Sequence, residues 1–339
     1  MKNDLTHLTS EIEKKVGKKI PVGADFEKLA SFFAIKHHIK LNADALHKVW
    51  NYVSGKEKPT KKTLNKLALF VGYQRWMYFC GEEGGSFENS EGSVQEQLLK
   101  NMDHIRKKYK AKKFIAYFQN FTNTYMPFED FKRVIEESLI EDVVGVSIST
   151  RPDYLPKRHL DYLEELNKKY FVTLEIGLQT ANYHSLKILN RGHGLAEFID
   201  AAIKLKSRNL NICTHMIIGL PWDDDLDIVE GAKILNALGV DEVKLHALYI
   251  LKGTVLGKMY EEGEITPIPL EDYKKKVILF LRNLKDDIIV ERIIGRAPYE
   301  DSLFCNWNTS WWKIRDDIVN EMQENGYTQG DLVKGELLW

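Results

Sequence analysis

Cysteine is scarce in this sequence, with Cys80, Cys213 and Cys305 the only three among 339 residues. An odd number of widely spaced cysteines argues against a disulfide framework and fits a reducing compartment. Long apolar runs are missing too, since no stretch approaches the roughly 18 residues that a membrane span needs. The start of the chain, MKNDLTHLTSEIEKK, has neither an apolar signal core nor a small-residue cleavage site. We therefore expect a cytoplasmic protein without a membrane partner.

Charge is unevenly distributed along the chain. Residues 1–76 contain 15 Lys and Arg against 7 Asp and Glu, whereas the whole chain contains 48 against 49. The remainder is therefore acidic, and a basic piece followed by an acidic one is typical of two domains of different origin. We expect the domains to be residues 1–76 and 77–339.

The basic piece has the pattern of short helices. Apolar residues recur at helical spacing in DFEKLASFFAIKHH, NADALHKVWNYVSG and KKTLNKLALFVG. Three short helices with a basic surface predict a helix-turn-helix-like module, in which lysines such as Lys56, Lys58, Lys61 and Lys62 attract nucleic-acid phosphates. The alternative is an ordinary solvated surface, because lysine-rich helix faces are common without any partner.

From residue 93 onward, strand-like and helical stretches alternate. Nearly apolar runs, KFIAYFQ, VVGVSIST, FVTLEIGL, NICTHMIIGL and EVKLHALYI, are separated by amphipathic stretches such as EDFKRVIEESLI. Strands that are apolar throughout are typical of a parallel sheet covered on both faces. No Gly-x-Gly-x-x-Gly follows the first strand, which favours a (β/α) barrel over a dinucleotide-binding sheet.

Polar residues gather at the predicted carboxyl ends of these strands, where barrels and open sheets both bind ligands. Glu175 and His215 also lie inside apolar strands, where an unpaired polar group costs several kcal/mol. A wet cavity or internal hydrogen bonds would each explain them. The residues that we predict from this pattern to line a site are Thr122, Asn123, Tyr125, Arg151, Glu175, Gln179, Gly219 and Pro221.

Six stretches carry a family resemblance: AYFQNFTNTY, VVGVSISTRPDYLP, LEIGLQT, LNRGHG, HMIIGLP and VKLHALYILKGT. In this order they resemble the strand-end motifs of bacterial radical S-adenosylmethionine (SAM) proteins of the YhcC type, related to the radical SAM domain of the elongator catalytic subunit. The resemblance covers about residues 79–325. Residues 1–76 resemble a small helical domain of Bacteroides-type proteins.

The resemblance implies a partial TIM-like barrel whose mouth holds SAM beside a [4Fe-4S] cluster. It places Thr122 to Tyr125 near the methionine amino group, and Glu175 and Gln179 on the strand that approaches the ribose and the methionine carboxylate. Arg191 would pair with that carboxylate, and Ile217 to Pro221 would line the adenine. Arg151 belongs to the Thr-Arg-Pro-Asp stretch that the elongator subunit shares.

The chain departs from this family pattern at the cluster. The family's three cysteines end in Cys-x-x-Cys before a glycine-rich acidic stretch, and MYFCGEEGGSF aligns there with Cys80 last and Met77 in place of the middle thiolate. Thioether sulfur is a weaker, neutral ligand, whereas each protein-bound iron of such a cluster takes a thiolate. Two of the three ligands, and the first barrel strand, are therefore expected to be absent.

Three interpretations follow for function. The chain is a radical SAM enzyme of unknown substrate, or a catalytically silent barrel that binds SAM or a nucleoside and carries a basic regulatory or nucleic-acid-binding module. The third is that the gene is a fusion or truncation, because the small domain's closing pattern GYQRWMYF ends where the barrel pattern resumes. Cys80 is the expected metal ligand, remaining from the family's motif, and the alternative is an ordinary core thiol.

Overall fold

A computed structural model describes residues 2–21, 25–37, 41–52, 59–60, 63–64, 66–67, 93–119, 122–295 and 301–333. It divides into two compact units, Met1–Glu91 and Gly92–Trp339. The predicted boundary at residues 76 and 77 lies outside the described residues and stays a prediction. No helix among the residues described is both long and apolar enough to cross a membrane.

The amino-terminal unit is helical. Its described helices are α1 (Lys2–Val16), α2 (Phe26–His37) and α3 (Ala43–Tyr52), and residues 63–64 and 66–67 are also helical. Leu8, Phe33, Leu46 and Val49 are fully buried in a core of their own. Helix α1 was not anticipated from the sequence, and the rest of the predicted helix at KKTLNKLALFVG lies outside the described residues.

The second unit alternates strands and helices, as the sequence predicted. Its six-stranded sheet consists of β1 (Phe114–Phe118), β2 (Val143–Thr150), β3 (Phe171–Gln179), β4 (Asn211–Ile218), β5 (Glu242–Ala247) and β7 (Ile289–Arg292). Two further strands, β6 (Ile250–Leu251) and β8 (Ser302–Phe304), pair antiparallel. Strand β7 and the β6–β8 pair were missed, because they are short and carry no clear alternation.

Helices connect and cover the strands. They are α4 (Val94–Tyr109), α5 (Phe128–Ser138), α6 (Lys157–Leu166), α7 (Tyr183–Ile188), α8 (Leu195–Lys206), α9 (Asp225–Leu238), α10 (Val255–Glu261), α11 (Leu270–Asn283) and α12 (Trp311–Glu324). Polar side chains fix where several begin: Ser93 accepts a hydrogen bond from the Glu96 amide, and Asp224 accepts one from the Asp227 amide.

All pairings in the large sheet are parallel and follow chain order, from β1 at one edge through β2, β3, β4 and β5 to β7. The sheet curls into a half-barrel of the kind predicted. Side chains alternate between its two faces. One face sends apolar residues such as Val146, Leu174 and Leu245 into the core under the helices, and the other carries polar residues into the concave interior.

Candidate functional site

Glu175 lies at the centre of the concave interior. Its Oε2 accepts hydrogen bonds from the Tyr117 hydroxyl and His215 Nε2, each at 2.8 Å. Its Oε1 accepts from the Ser147 hydroxyl and Lys244 Nζ, each at 2.5 Å. A carboxylate offers about four acceptor positions, so protein donors occupy them all. Five strands meet at this one side chain.

Lys244 extends this cluster to the next strand. It is 7 % exposed, Glu175 is 3 % exposed, and Lys244 Nζ also lies 2.9 Å from Oε2 of Glu291 on β7. Burial by itself would lower the pKa of Lys244, but the hydrogen bonds to Glu175 and Glu291 outweigh burial and raise that pKa. The ammonium group is therefore charged, and it joins β3 to β5 and β7.

The cluster sets the ionisation of Glu175. Burial alone would raise the pKa of this carboxyl, but hydrogen bonds from His215, Lys244 and Ser147 lower it well below its ordinary value. Burial also raises the pKa of Tyr117 to about 12, so its hydroxyl stays a donor to the carboxylate. Glu175 is therefore a permanent internal anion rather than a proton carrier near neutral pH.

A carboxyl pair lies on the amino side of this cluster. Glu242 is 7 % exposed and hydrogen-bonds Glu291. Burial, followed by the hydrogen bond and the charge of Glu291, raises the pKa of Glu242 to about 8. Since Glu291 also accepts from Lys244, the two carboxyls share one proton near neutral pH, and Glu242 holds it.

A second group of residues lies where β3 ends. Arg191, between α7 and α8, has a buried Nε without a hydrogen-bond partner among the described residues. A side chain at Gly177 would come within 3.5 Å of Arg191 Nη2 and 2.0 Å of Gln179 Nε2, so glycine gives both groups their room. Burial and the neighbouring Arg151 lower the pKa of Arg191. A guanidinium whose Nε has no partner among the described residues can donate hydrogen bonds to an anionic ligand.

Arg151 is the other cation at this edge. Its Nε and Nη2 donate to the two oxygens of Asp153 at 2.8 and 2.7 Å, a bidentate pair. Burial would raise the pKa of Asp153, but the hydrogen bonds and charge of Arg151 give a net lowering. Gly192 has a φ of +72°, and a Cβ at this position would lie 3.0 Å from Arg151 Nη2. The loop before α8 therefore brings Arg151 and Arg191 to one place.

The predicted residues after β1 shape the neighbouring loop. Asn123 Nδ2 donates to the carbonyls of Phe118 and Ser149, at 2.9 and 2.7 Å, which ties the ends of β1 and β2 together. The Tyr125 ring packs on Tyr154 with centroids 4.7 Å apart. Thr122 is half-buried at the start of the single helical turn formed by residues 123–125.

The residues after β4 form the opposite side of this edge. Ile217 is half-buried and pairs in register with His246. Gly219 has a φ of +85°, and a Cβ there would lie 3.0 Å from Ile268 Cδ1 and 3.2 Å from Tyr273 Cδ2. Only glycine combines that backbone with that packing. Pro221 follows in a turn before α9.

Comparison with known proteins agrees with this architecture. Residues 78–245 match the Radical SAM superfamily, and residues 240–324 match the Radical_SAM C-terminal domain. YtqA from Bacillus subtilis is 37% identical over 255 residues, 74% of this chain and 79% of that protein. The chain belongs to the radical SAM superfamily.

Two further relatives place the chain within the superfamily. YhcC from Escherichia coli is 31% identical over 236 residues, 69% of this chain and 75% of that protein. The Elp3 structure from the archaeon Methanocaldococcus infernus, lacking residues 1–46, has a TM-score of 0.61 at 19% identity and covers 70% of this chain. This chain covers 60% of that Elp3 chain, and the likeness concerns the fold. The expected YhcC-type family and partial barrel are confirmed.

The donor set for a radical SAM cluster does not fit the part of the chain that is described. Cys80 and Met77 lie outside the described residues. Cys213 is buried on the amino half of β4, six residues or about 20 Å of strand before Gly219. Burial raises the pKa of its thiol far above the ordinary value, and Cys305 is buried after β8. Cys213 is therefore a buried thiol away from the carboxyl edge, and a single further cysteine cannot provide three thiolates.

The structure also identifies interior residues that the sequence did not single out, among them Tyr117, Ser147, Lys244 and His246. Two of them could have been noticed in the sequence, because Lys244 and His246 are charged or polar residues inside EVKLHALYI, which otherwise has the pattern of an apolar strand. The resemblance placed Glu175 on the strand that approaches the SAM ribose. In the structure, four protein donors already occupy its carboxylate, so no lone pair is left for a ribose hydroxyl.

We predict that Lys244→Met lowers stability by about 3–5 kcal/mol, because the change leaves Glu175 buried without its cation. For a domain of this size the thermal midpoint should fall by roughly 10 °C. The double variant Glu175→Gln/Lys244→Met should lose less, since both charges are gone. Lys157→Met is the control, because Lys157 is 82% exposed beside Asp161 and such pairs contribute about 0–1 kcal/mol. Equal losses in Lys244→Met and Lys157→Met would contradict the role of the pair.

We also predict a pH dependence from Glu242. Its folded pKa of about 8 lies above the ordinary 4.5, so its contribution is full below pH 4.5 and is lost as the pH rises through 8. Unfolding free energy should fall across this window by up to about 1.4 kcal/mol per pH unit. In Glu242→Gln, the urea midpoint should change less with pH between pH 6 and 8 than it does in the wild type. Glu230→Gln, an exposed control, should keep the wild-type slope; an unchanged slope in Glu242→Gln would refute the shared proton.

Proposed function

We propose that this chain is a SAM-binding half-barrel whose cluster-dependent radical chemistry is impaired, acting on a substrate of unknown identity. One observation carries the proposal: the guanidinium of Arg191, with a buried and unpartnered Nε, beside Gln179 at the carboxyl end of β3. The SAM methionine group has a carboxylate that such a guanidinium can take in a bidentate manner. Superfamily membership supports the choice of ligand.

The other roles follow from where the side chains lie. Gln179, in the left-handed region with a φ of +71°, turns out of the strand beside Arg191 and is proposed to meet the ribose or the methionine group. Thr122 to Tyr125 are proposed to approach the amino group, and Ile217, Gly219 and Pro221 to line the adenine. Glu175 and Arg151 act indirectly, because Glu175 holds the interior and Arg151 is paired with Asp153.

The impaired cluster is the second half of the proposal. A [4Fe-4S] cluster that leaves one iron open for SAM needs three protein thiolates, and it supplies the electron that cleaves SAM. The chain has three cysteines in all, and two of them, Cys213 and Cys305, are buried. Cys80 remains the proposed relic ligand. A SAM-binding protein without efficient radical formation is the function that this donor set supports.

An alternative role concerns the amino-terminal unit. A catalytically silent barrel joined to a basic helical module would act as a regulatory or nucleic-acid-binding protein. The excess of Lys and Arg in residues 1–76 favours this reading. Nucleic acid therefore stays a proposed partner of that unit, alongside SAM as the proposed ligand of the barrel.

We predict that Arg191→Gln weakens SAM binding between about tenfold and 150-fold in calorimetry, because a hydrogen bond to a charged group contributes about 1.5–3 kcal/mol. Arg158→Gln is the matched control, since Arg158 is 67% exposed and pairs with Glu129. Its SAM affinity should equal that of the wild type. No heat with wild-type protein at millimolar SAM would remove the SAM-binding proposal.

For the cluster, we predict that anaerobic reconstitution with iron and sulfide leaves far fewer than about four irons per chain. Cys80→Ala should bind as little iron as the wild type, because one thiolate cannot hold the cluster. Iron counting and absorbance spectroscopy measure both. Close to four irons per wild-type chain, lost in Cys80→Ala, would instead establish an intact cluster.

A further inference from the structure

A second cation without a partner lies at the other side of the half-barrel. Arg292 is half-buried at the end of β7, and no hydrogen bond or ion pair joins its guanidinium to another residue in the described ranges. Other interior charges are neutralised, as Lys244 is by Glu175 and Glu291. A half-buried guanidinium whose donors are not used by the described residues is a candidate contact for an anionic ligand.

A bulge in β7 aims Arg292 at the interior. The register of β5 and β7 shifts between Val243 and Lys244, so that Val243 pairs with Val290 and Lys244 pairs with Arg292. The extra residue, Glu291, still reaches Lys244. Bulges re-aim side chains in this way and are frequent beside active sites. Arg292 consequently shares the inner face with Lys244 instead of pointing to the helices.

His246 lies next to Arg292 on the same face. Its ring stacks on that of His215 with centroids 5.2 Å apart, and its Nε2 is buried without a partner. Burial, then the charges of His215 and Arg292, lower the pKa of His246 to about 3. The imidazole is therefore neutral and carries one N–H. In the tautomer with the proton on Nδ1, the nitrogen that faces Gly295, this N–H can donate to a ligand oxygen.

Polar atoms of three side chains converge on Gly295. A Cβ at this glycine would lie 3.0 Å from the Tyr249 hydroxyl, 3.4 Å from His246 Nδ1 and 3.7 Å from Arg292 Nη1. All three nearest atoms are polar and come from different parts of the chain. Glycine therefore lets the backbone pass close to Arg292 and His246, which lie on the same side of it.

The backbone around Gly295 is fixed by its neighbours. The Gly295 carbonyl accepts from the Tyr249 hydroxyl at 2.8 Å and from Asn306 Nδ2 at 3.2 Å. Asn306 is fully buried in a short turn whose residues 306–308 all have positive φ. Such a turn is strained for residues other than glycine and is held by its surroundings. The position of Gly295 beside Arg292 and His246 is thus held by the surrounding structure.

We propose that Arg292 and His246 form an anion-binding subsite in front of Gly295, which receives a carboxylate or phosphate group of the substrate. The charge and the N–H suit an anionic oxygen. The assignment of the anion to a substrate rests on the proposed function, whereas anion binding at this place does not.

The test uses the full-length chain and two probes, inorganic phosphate and acetate, titrated by calorimetry at constant ionic strength. Wild type and Arg158→Gln should bind at least one probe with the same affinity. Arg292→Gln should raise the dissociation constant of that probe at least about tenfold. Preference for phosphate assigns a phosphorylated substrate, and preference for acetate assigns a carboxylate.

Gly295→Ala is the second variant, in case Arg292→Gln does not fold. It keeps every charge but adds a methyl group within 3.7 Å of Tyr249, His246 and Arg292, and it too should weaken probe binding about tenfold or more. Equal probe affinity in Gly295→Ala and wild type would overturn the subsite. The same conclusion would follow if neither probe bound wild type, or if only Arg191→Gln abolished binding.

SAM titrations separate this subsite from the proposed function. Arg292→Gln should bind SAM like the wild type, whereas Arg191→Gln should not. A parallel loss of SAM in Arg292→Gln would make this residue part of the SAM site and overturn the proposal. Wild type that binds a probe through Arg292 but gives no heat with SAM would refute the proposed function and leave the subsite intact.

Discussion

The ion pair between Lys244 and Glu175 is the contact on which the concave face of the half-barrel depends. Taking two charges out of water costs several kcal/mol for each ion, and only good geometry with further hydrogen bonds offsets that cost. Tyr117, Ser147 and His215 supply those hydrogen bonds to Glu175. The parallel strands thus gain a polar interior that is satisfied by its own members, while the opposite face packs apolar residues beneath the helices.

Most charged side chains of the concave interior are paired with one another, and this pairing decides which charges can contact a ligand. Lys244 forms ion pairs with Glu175 and Glu291, and Arg151 forms an ion pair with Asp153. Arg191 and Arg292 are left without such partners in the described part of the chain. One lies beyond the end of β3 and the other at the end of β7, so the half-barrel offers two separated cationic positions around one polar interior.

Superfamily membership and cluster chemistry are separable properties of this chain. The barrel is specified by apolar strands, amphipathic helices and glycines that permit tight turns, and these persist in the sequence. A cluster depends on the number of thiolates at one place, and the family pattern retains Cys80 with Met77 in place of its neighbour. A fold built from many weak contacts tolerates the loss of single residues, whereas a cluster held by three ligands depends on each of them, which is the basis for proposing an impaired cluster in this chain.

The sequence determined the class of fold, since the alternation of apolar strands with amphipathic helices matches the observed bounds closely. It also drew attention to Gln179 and Glu175, because polar residues at strand ends or inside apolar runs stand out by pattern alone, whereas Arg191 came from the family resemblance. Short β7 and its bulge escaped, as four residues carry too little periodicity. Only the tertiary structure decided that Glu175 is saturated while Arg191 and Arg292 are not, because the partner of a charge is a neighbour in space, up to 69 residues distant in the chain.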